Sequence, residues 1–149
     1  MVLKSKALKR KQFEGWLDFM DGALGRFLMN LPAEIESRLD FSPQSLNVLE
    51  SWILNKYPST QAMTEPDQTI TLDALARYIG ETFRKVLGGY WDIQLDEPDL
   101  VYFSLPIITG FKGGLGYDCP ITLATATANR RTGTYLYSVL QNVMSTGKP

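Results

Sequence analysis

The feature that most constrains this chain is a change of hydrophobic period at Gly88-Gly89. Upstream, apolar residues recur at spacings of three and four, which at about 100° per residue gathers them on one helical face. Phe13, Trp16, Leu17, Met20, Leu24, Phe27, Leu28 and Leu31 form one such stripe. Leu46, Leu49 and Ile53 form a second, with Trp52 beside it, and Leu72, Leu75, Ala76, Ile79, Phe83, Val86 and Leu87 form a third. Downstream the period falls to two. Trp91, Ile93 and Leu95 alternate with Asp92 and Gln94, and Val101, Phe103 and Leu105 alternate with Tyr102 and Ser104. Such alternation sends successive side chains to opposite faces of a half-buried strand. Helices followed by a hairpin predict an α+β fold, with the helices packed on one face of a small antiparallel sheet.

Local punctuation places the boundaries. The first stripe predicts one helix over 11–30, ended by Pro32. Ser42 reads as the N-cap of the second helix, with Pro43 at its first position and Phe41 and Leu46 as a hydrophobic staple; Pro58 stops it after Tyr57. Residues 59–69 read as a polar connection, ordered or mobile. Thr71 reads as the cap of the third helix, with Ile70 and Leu75 as a second staple. Arg77, Glu81 and Lys85 then form a ladder of charges on its exposed side, and Gly88-Gly89 ends it. Gly80, inside that helix, has its simplest explanation in the close approach of another element. Asp96-Glu97-Pro98-Asp99 is a turn that would join the two strands as a short hairpin, with Trp91 and Phe103 facing inward and Tyr90 and Tyr102 outward. Gly110 to Asp118 is a glycine-rich loop. Ile121 to Ala128 reads as a third strand from its threonines and apolar residues, although its alanines leave a helix open. A last helix near Thr132 would use Leu136, Val139, Leu140 and Val143.

Composition sets the class. The chain has 149 residues, 44% of them hydrophobic and 21% charged, as expected of one globular domain. It contains no histidine, which removes the commonest general acid–base group, the commonest zinc ligand and every Ser–His or Cys–His pair. One cysteine, Cys119, excludes an internal disulfide framework. Lys4, Lys6, Lys9, Arg10 and Lys11 make the start basic, and the rest carries 10 basic against 16 acidic residues, a balance of −6. The expectation is a basic, disordered arm over 1–10 ahead of a single domain over 11–149. Glu14, Asp18 and Asp21 interrupt any apolar region that a secretory signal would need. The uncharged run from Leu100 to Phe111 is too short to span a bilayer and contains Pro106. A cytoplasmic protein without a transmembrane segment is expected.

No motif carries chemistry unambiguously. Asp92, Asp96, Glu97 and Asp99 cluster within eight residues. They lack the order of an EF-hand, and a catalytic carboxylate pair would need a cleft around it. A solvated strand face and turn, or an acidic patch for a basic partner, accounts for them. The glycine-rich loop 110–116 invites a phosphate-binding reading, with Lys112, Arg130 and Arg131 as the cations. It lacks the Walker spacing and any parallel βαβ context, so a flexible connection explains it equally. The aromatics of the strand region lack the basic interleaving of nucleic-acid binders, and no nucleic acid is expected.

Two stretches carry a resemblance. Leu39 to Glu50, with its Leu-Asp-Phe-Ser-Pro opening and Ser-Leu following, is similar to the start of small bacterial α+β domains of unknown function. Tyr78 to Trp91, a Tyr-Ile-Gly-Glu helix followed by Gly-Gly and a strand tryptophan, resembles a segment of the same domains. Some proteins of this kind act as immunity partners of bacterial toxins. The resemblance covers 39–105 and implies no catalytic motif and no cofactor. The leading expectation is a non-enzymatic bacterial protein that binds a protein partner, of basic character, through Asp92, Asp96, Glu97 and Asp99. The alternative is a small-molecule or phosphate-binding protein, or an enzyme, using loop 110–116. A third reading places the basic arm and first helix on a membrane surface. A homodimer is compatible with all three.

Overall fold

The structure, a computed structural model, describes residues 2–112 and 116–146. It is an α+β fold. Among the described residues the helices are α1 (Val2–Asp18), α2 (Met20–Met29), α3 (Ala33–Glu36), α4 (Ser45–Lys56), α5 (Thr60–Met63), α6 (Thr69–Leu87), α7 (Pro120–Arg130) and α8 (Tyr135–Thr146). The strands are β1 (Tyr90–Ile93), β2 (Pro106–Thr109) and β3 (Tyr117–Asp118), in the antiparallel order β1-β2-β3. No helix among the described residues is long and apolar enough to cross a membrane.

The first stripe serves two cores, and the chain turns between them. Phe13 joins Ile93 and Leu95 in a small cluster with Trp16, Leu17 and Trp91, whereas Met20 and Leu24 belong to the main core around α6. The single helix expected over 11–30 is therefore two, broken at Phe19 (φ −92°, ψ 9°). Residues 2–10, expected as a disordered arm, are helical from Val2. Lys6 pairs with Asp96, and the Lys9 ammonium lies 4.8 Å from the centre of the Phe103 ring, so two of the arm's cations have partners in the strand region.

Helix α6 is the axis of the molecule. Leu75, Tyr78, Ile79 and Phe83 are fully buried, and α6 packs against α2, α7, α8 and the sheet. It starts at Thr69 rather than beyond Thr71, because a 3-10 turn over Pro66–Gln68 leads directly into it without a side-chain cap. The staple expected of Ile70 does not form; Ile70 is 85% exposed. The segment 59–69 is an ordered connection: Ser59 Oγ accepts the N–H of Ala62 and caps α5. Helix α4 starts at Ser45 rather than at Pro43, with Gln44 at its N-cap and no side-chain cap; Ser42 accepts the N–H of Ser45 at 3.2 Å in the turn that leads into it.

The second half departs further from the sequence reading. Val101 to Leu105 is not a strand. The partner of β1 is Pro106–Thr109, with Trp91 opposite Ile108 and Ile93 opposite Pro106, so a long loop rather than a short turn joins them. Alternation cannot choose between neighbouring registers; burial does. Ile107 and Ile108 are buried, while Val101 is 89% exposed. Phe103, expected inside, is half-buried within this loop. Ile121 to Ala128 is helical, because Leu123, Ala124, Thr127 and Ala128 lie on one helical face and are buried. Thr127 satisfies its hydroxyl by donating to the Leu123 carbonyl at 2.8 Å.

Candidate functional site

The expected charge ladder of α6 is not on the surface. Arg77 is 3% and Glu81 7% exposed; Lys85 is exposed. A tryptophan accompanies each of these two buried charges. Asp73 accepts the Trp16 indole N–H at 2.7 Å and the Arg77 Nε–H at 2.7 Å. The Arg77 guanidinium lies 4.1 Å from the Trp16 ring centre and donates to the Trp16 carbonyl at 2.8 Å. Glu81 accepts the Trp91 indole N–H at 3.0 Å and the Arg84 Nε–H at 2.6 Å. Burial alone would raise the Glu81 carboxyl, but the hydrogen bonds from Arg84 and Trp91 and the charges of Arg84 and Lys85 hold it below the usual carboxylate range. Trp16 and Trp91 meet edge to face at 4.9 Å, so the two networks share an aromatic wall.

On one side of that wall lies a groove of about 660 Å³ between α2, α4 and the start of α6. Trp16, Phe19, Phe27, Leu31, Trp52 and Ile70 supply its apolar lining. Phe27 and Trp52 meet edge to face at 5.5 Å and set its floor. Three charged residues line it: Arg26, Lys56 and Asp73. Asp73 has both carboxylate oxygens engaged, one by Trp16 and one by Arg77. The Arg26 guanidinium sits 5.2 Å from the Phe19 ring centre and the Lys56 ammonium 5.7 Å from that of Trp52, cations laid over aromatic faces on exposed residues. Large apolar side chains stand exposed at the rim, Ile70 at 85% and Phe19 at 45%.

The residues singled out from the sequence lie elsewhere. Asp92 accepts the N–H of Ile93 at 2.8 Å. Asp96, Glu97 and Asp99 are exposed in the loop between β1 and β2 rather than at a hairpin tip. Gln94 Oε1 accepts the backbone N–H groups of Asp96 and Glu97 there, and Asp96 pairs with Lys6. The acids form an exposed patch, not a cleft. Among the described residues no group of three carboxylates or cysteines is placed to hold a metal ion.

The proposed anion set is not brought together. Arg131 is the left-handed C-cap of α7 (φ 55°, ψ 39°) and donates to the carbonyls of Leu54, Tyr57 and Ala128 at 3.0, 2.9 and 3.2 Å. Its guanidinium closes helix ends and is not turned to a ligand. Arg130 lies 4.9 Å from the Tyr135 ring centre. Lys112 stands beyond the end of α6, its backbone N–H on the Leu87 carbonyl at 3.1 Å. Gly113, Gly114 and Leu115 of loop 110–116 lie outside the described residues. Cys119 is buried, and burial raises its thiol above the ordinary value, which disfavours the thiolate.

Sequence reasoning missed the groove because Trp16 and Phe27 fit the same 3.6 period as true core residues. Ile70 carries no separate signal, because the sequence assigns it to a staple with Leu75; only its 85% exposure in the first turn of α6 marks it as part of the groove rim. No family model matches the chain, and neither the curated proteins nor the solved structures contain a significant match.

Proposed function

We propose that this chain is a non-enzymatic protein-binding protein, of the bacterial accessory or immunity kind, and that its partner seats in the groove between α2, α4 and α6. The observation that carries this reading is an apolar, aromatic-lined groove with Ile70 and Phe19 left in solvent at its rim. Exposed large apolar residues around a concave apolar surface are the usual mark of an interface. A small ligand in the floor would leave Ile70 uncovered; a protein surface would cover it. The acidic loop is the second reading, supported by Asp96, Glu97 and Asp99 standing exposed beside Val101.

Site-specific photo-crosslinking separates the two. A benzophenone amino acid is placed at Ile70 in one variant and at Val101 in another, both produced in the host. One stoichiometric crosslinked protein from position 70 and none from position 101 is expected. The reverse pattern moves the interface to the acidic loop. A crosslink to a second copy of the chain makes it a homodimer. No crosslink from either position in folded protein overturns the protein-binding reading.

A further inference from the structure

The groove has a shape and a charge that specify more than stickiness. Along α2 its wall is Phe19, Ala23, Arg26, Phe27 and Asn30. These sit at i, i+4, i+7, i+8 and i+11, one face of three helical turns, about 16 Å at the α-helical rise. Trp52 and Lys56 of α4 and Ile70, Asp73 and Ala74 of α6 supply the opposing wall. A trough of that length, walled by side chains of α2 on one side and of α4 and α6 on the other, suits a helix of similar length, which presents its own ridge of apolar residues at i, i+3 or i+4, and i+7.

Charge selects among helices. The carboxylate of Asp73 is taken up by Trp16 and the buried Arg77, so its charge is answered inside the protein. Arg26 and Lys56 lie on the exposed side of the aromatic floor, where their donors can reach a carboxylate on whatever lies in the groove. Two cations over a desolvated aromatic surface favour an acidic ligand and penalise a basic one. The basic helix of this chain, α1, with Lys6, Lys9, Arg10 and Lys11, has the wrong sign to fill the groove of another copy. It also has its own seat on the chain, through Phe13.

From this we infer that the groove takes an acidic amphipathic helix of a partner protein, about three turns long, with its apolar face on Phe27 and Trp52 and carboxylates flanking that face toward Arg26 and Lys56. This rests on the protein-binding reading above. It differs from the sequence expectation in sign: the recognised partner segment is acidic, not basic.

The test uses a displayed library of helical 16-residue peptides. Apolar residues are fixed at i, i+3, i+4 and i+7, and the flanking positions vary among Glu, Lys, Gln and Ala. The library is selected on the wild-type chain and on the Arg26→Glu/Lys56→Glu variant; both sites are exposed, and melting curves check that the variant is folded. Glu-rich clones are expected on the wild type and Lys-rich clones on the variant, with each class losing about tenfold or more in affinity on the other protein at low salt. Ile70→Ser should weaken both classes without changing their charge preference. Equal recovery of acidic and basic clones, or basic clones on the wild type, overturns the inference. If no helical clone binds while Ile70 crosslinks to a partner, the inference fails and the protein-binding reading stands. If both fail, the groove is not an interface.

Discussion

At the scale of single residues, Gly80 is the position with least freedom. A Cβ there would stand 2.0 and 2.3 Å from the Trp91 ring and 3.0 Å from Pro120 Cγ. The close approach read from the sequence is therefore made by Trp91, with Pro120 behind it. Gly80→Ala would gain up to about 1 kcal/mol of helix propensity, but overpacking outweighs it, for a net cost of about 1–3 kcal/mol. Trp91→Ala is expected to cost about 3 kcal/mol, the low end for a large aromatic because the ring is half-buried. In the Trp91→Ala background the cost of Gly80→Ala should disappear; denaturant titration of the four proteins measures this coupling, and additive effects would show that the ring is not what Gly80 admits. Asp118 is a second special residue. Its Oδ2 is buried without a hydrogen-bond partner, and burial pushes its carboxyl up to about 6 from 3.8. The folded chain thus holds a proton that the unfolded chain releases, so stability falls as pH rises between 3.8 and about 6, and the penalty is complete above that window. Asp118→Asn should stabilise the protein by about 1 kcal/mol near pH 7.5, a value discounted for the partial exposure of the site. Below 3.8 it should change little, and melting temperatures across this range check the sign.

At the scale of elements, the corner between α7 and α8 is held by charges from and onto α4. Glu50 is fully buried, and its carboxylate accepts the N–H groups of Tyr135 and Leu136 at 3.1 and 2.9 Å. It acts as an N-cap for α8 delivered from 85 residues away, where a carboxylate also meets the positive end of the helix dipole. Arg131 makes the complementary contact with the C-terminal carbonyls of α4. Glu50→Ala removes the cap and leaves buried N–H groups unpaired, at a cost of about 2–4 kcal/mol. Hydrogen exchange should show that loss concentrated in α8, with α6 still protected; uniform loss across both helices would mean that α8 does not open on its own. Sequence inspection could find the Ser42 turn ahead of α4 because its partner is three residues away. It could not find Glu50, whose partners are remote and whose own position in α4 is that of an ordinary helical glutamate.

At the scale of the molecule, two apolar clusters divide the work. The larger joins α2, α4, α6, α7 and α8, and the smaller fixes α1 to β1 through Phe13, Ile93 and Leu95. Trp16 and Trp91 pack against both. Anchoring of α1 should therefore depend on packing rather than on its charges. Asp96→Ala breaks the exposed pair with Lys6 and should change stability by less than about 0.5 kcal/mol. Phe13→Ala should cost about 2–4 kcal/mol and release α1 to proteolysis ahead of the rest. If instead Asp96→Ala frees α1, electrostatics holds it. The same division accompanies the break at Phe19: the buried residue of the first half, Phe13, lies in the smaller cluster and those of the second half, Met20 and Leu24, in the larger, while Trp16 and Leu17 bridge the two.

What the sequence determined by itself is what depends on neighbours along the chain. The 3.6 period of α2, α4 and α6, the turn at Ser42 that leads into α4, the stop at Gly88-Gly89, the alternation of β1 and the space at Gly80 were all legible, and together they give the α+β class. What the tertiary structure decided is where competing local choices tie. Val101 to Leu105 and Pro106 to Thr109 are both acceptable strands, and β1 pairs with the one that places Ile108 opposite Trp91. The segment 121–128 has threonines for a strand and alanines for a helix, and the surface of α6 takes the helix. Arg77 and Glu81 have the spacing of a solvated ladder, yet Trp16 and Trp91 draw them inside by supplying N–H donors and ring faces. The groove belongs to the same category. Trp16, Phe27 and Trp52 carry the pattern of core residues, yet they are only partly buried and line an open groove, because periodicity records which face is apolar and not how completely it is covered.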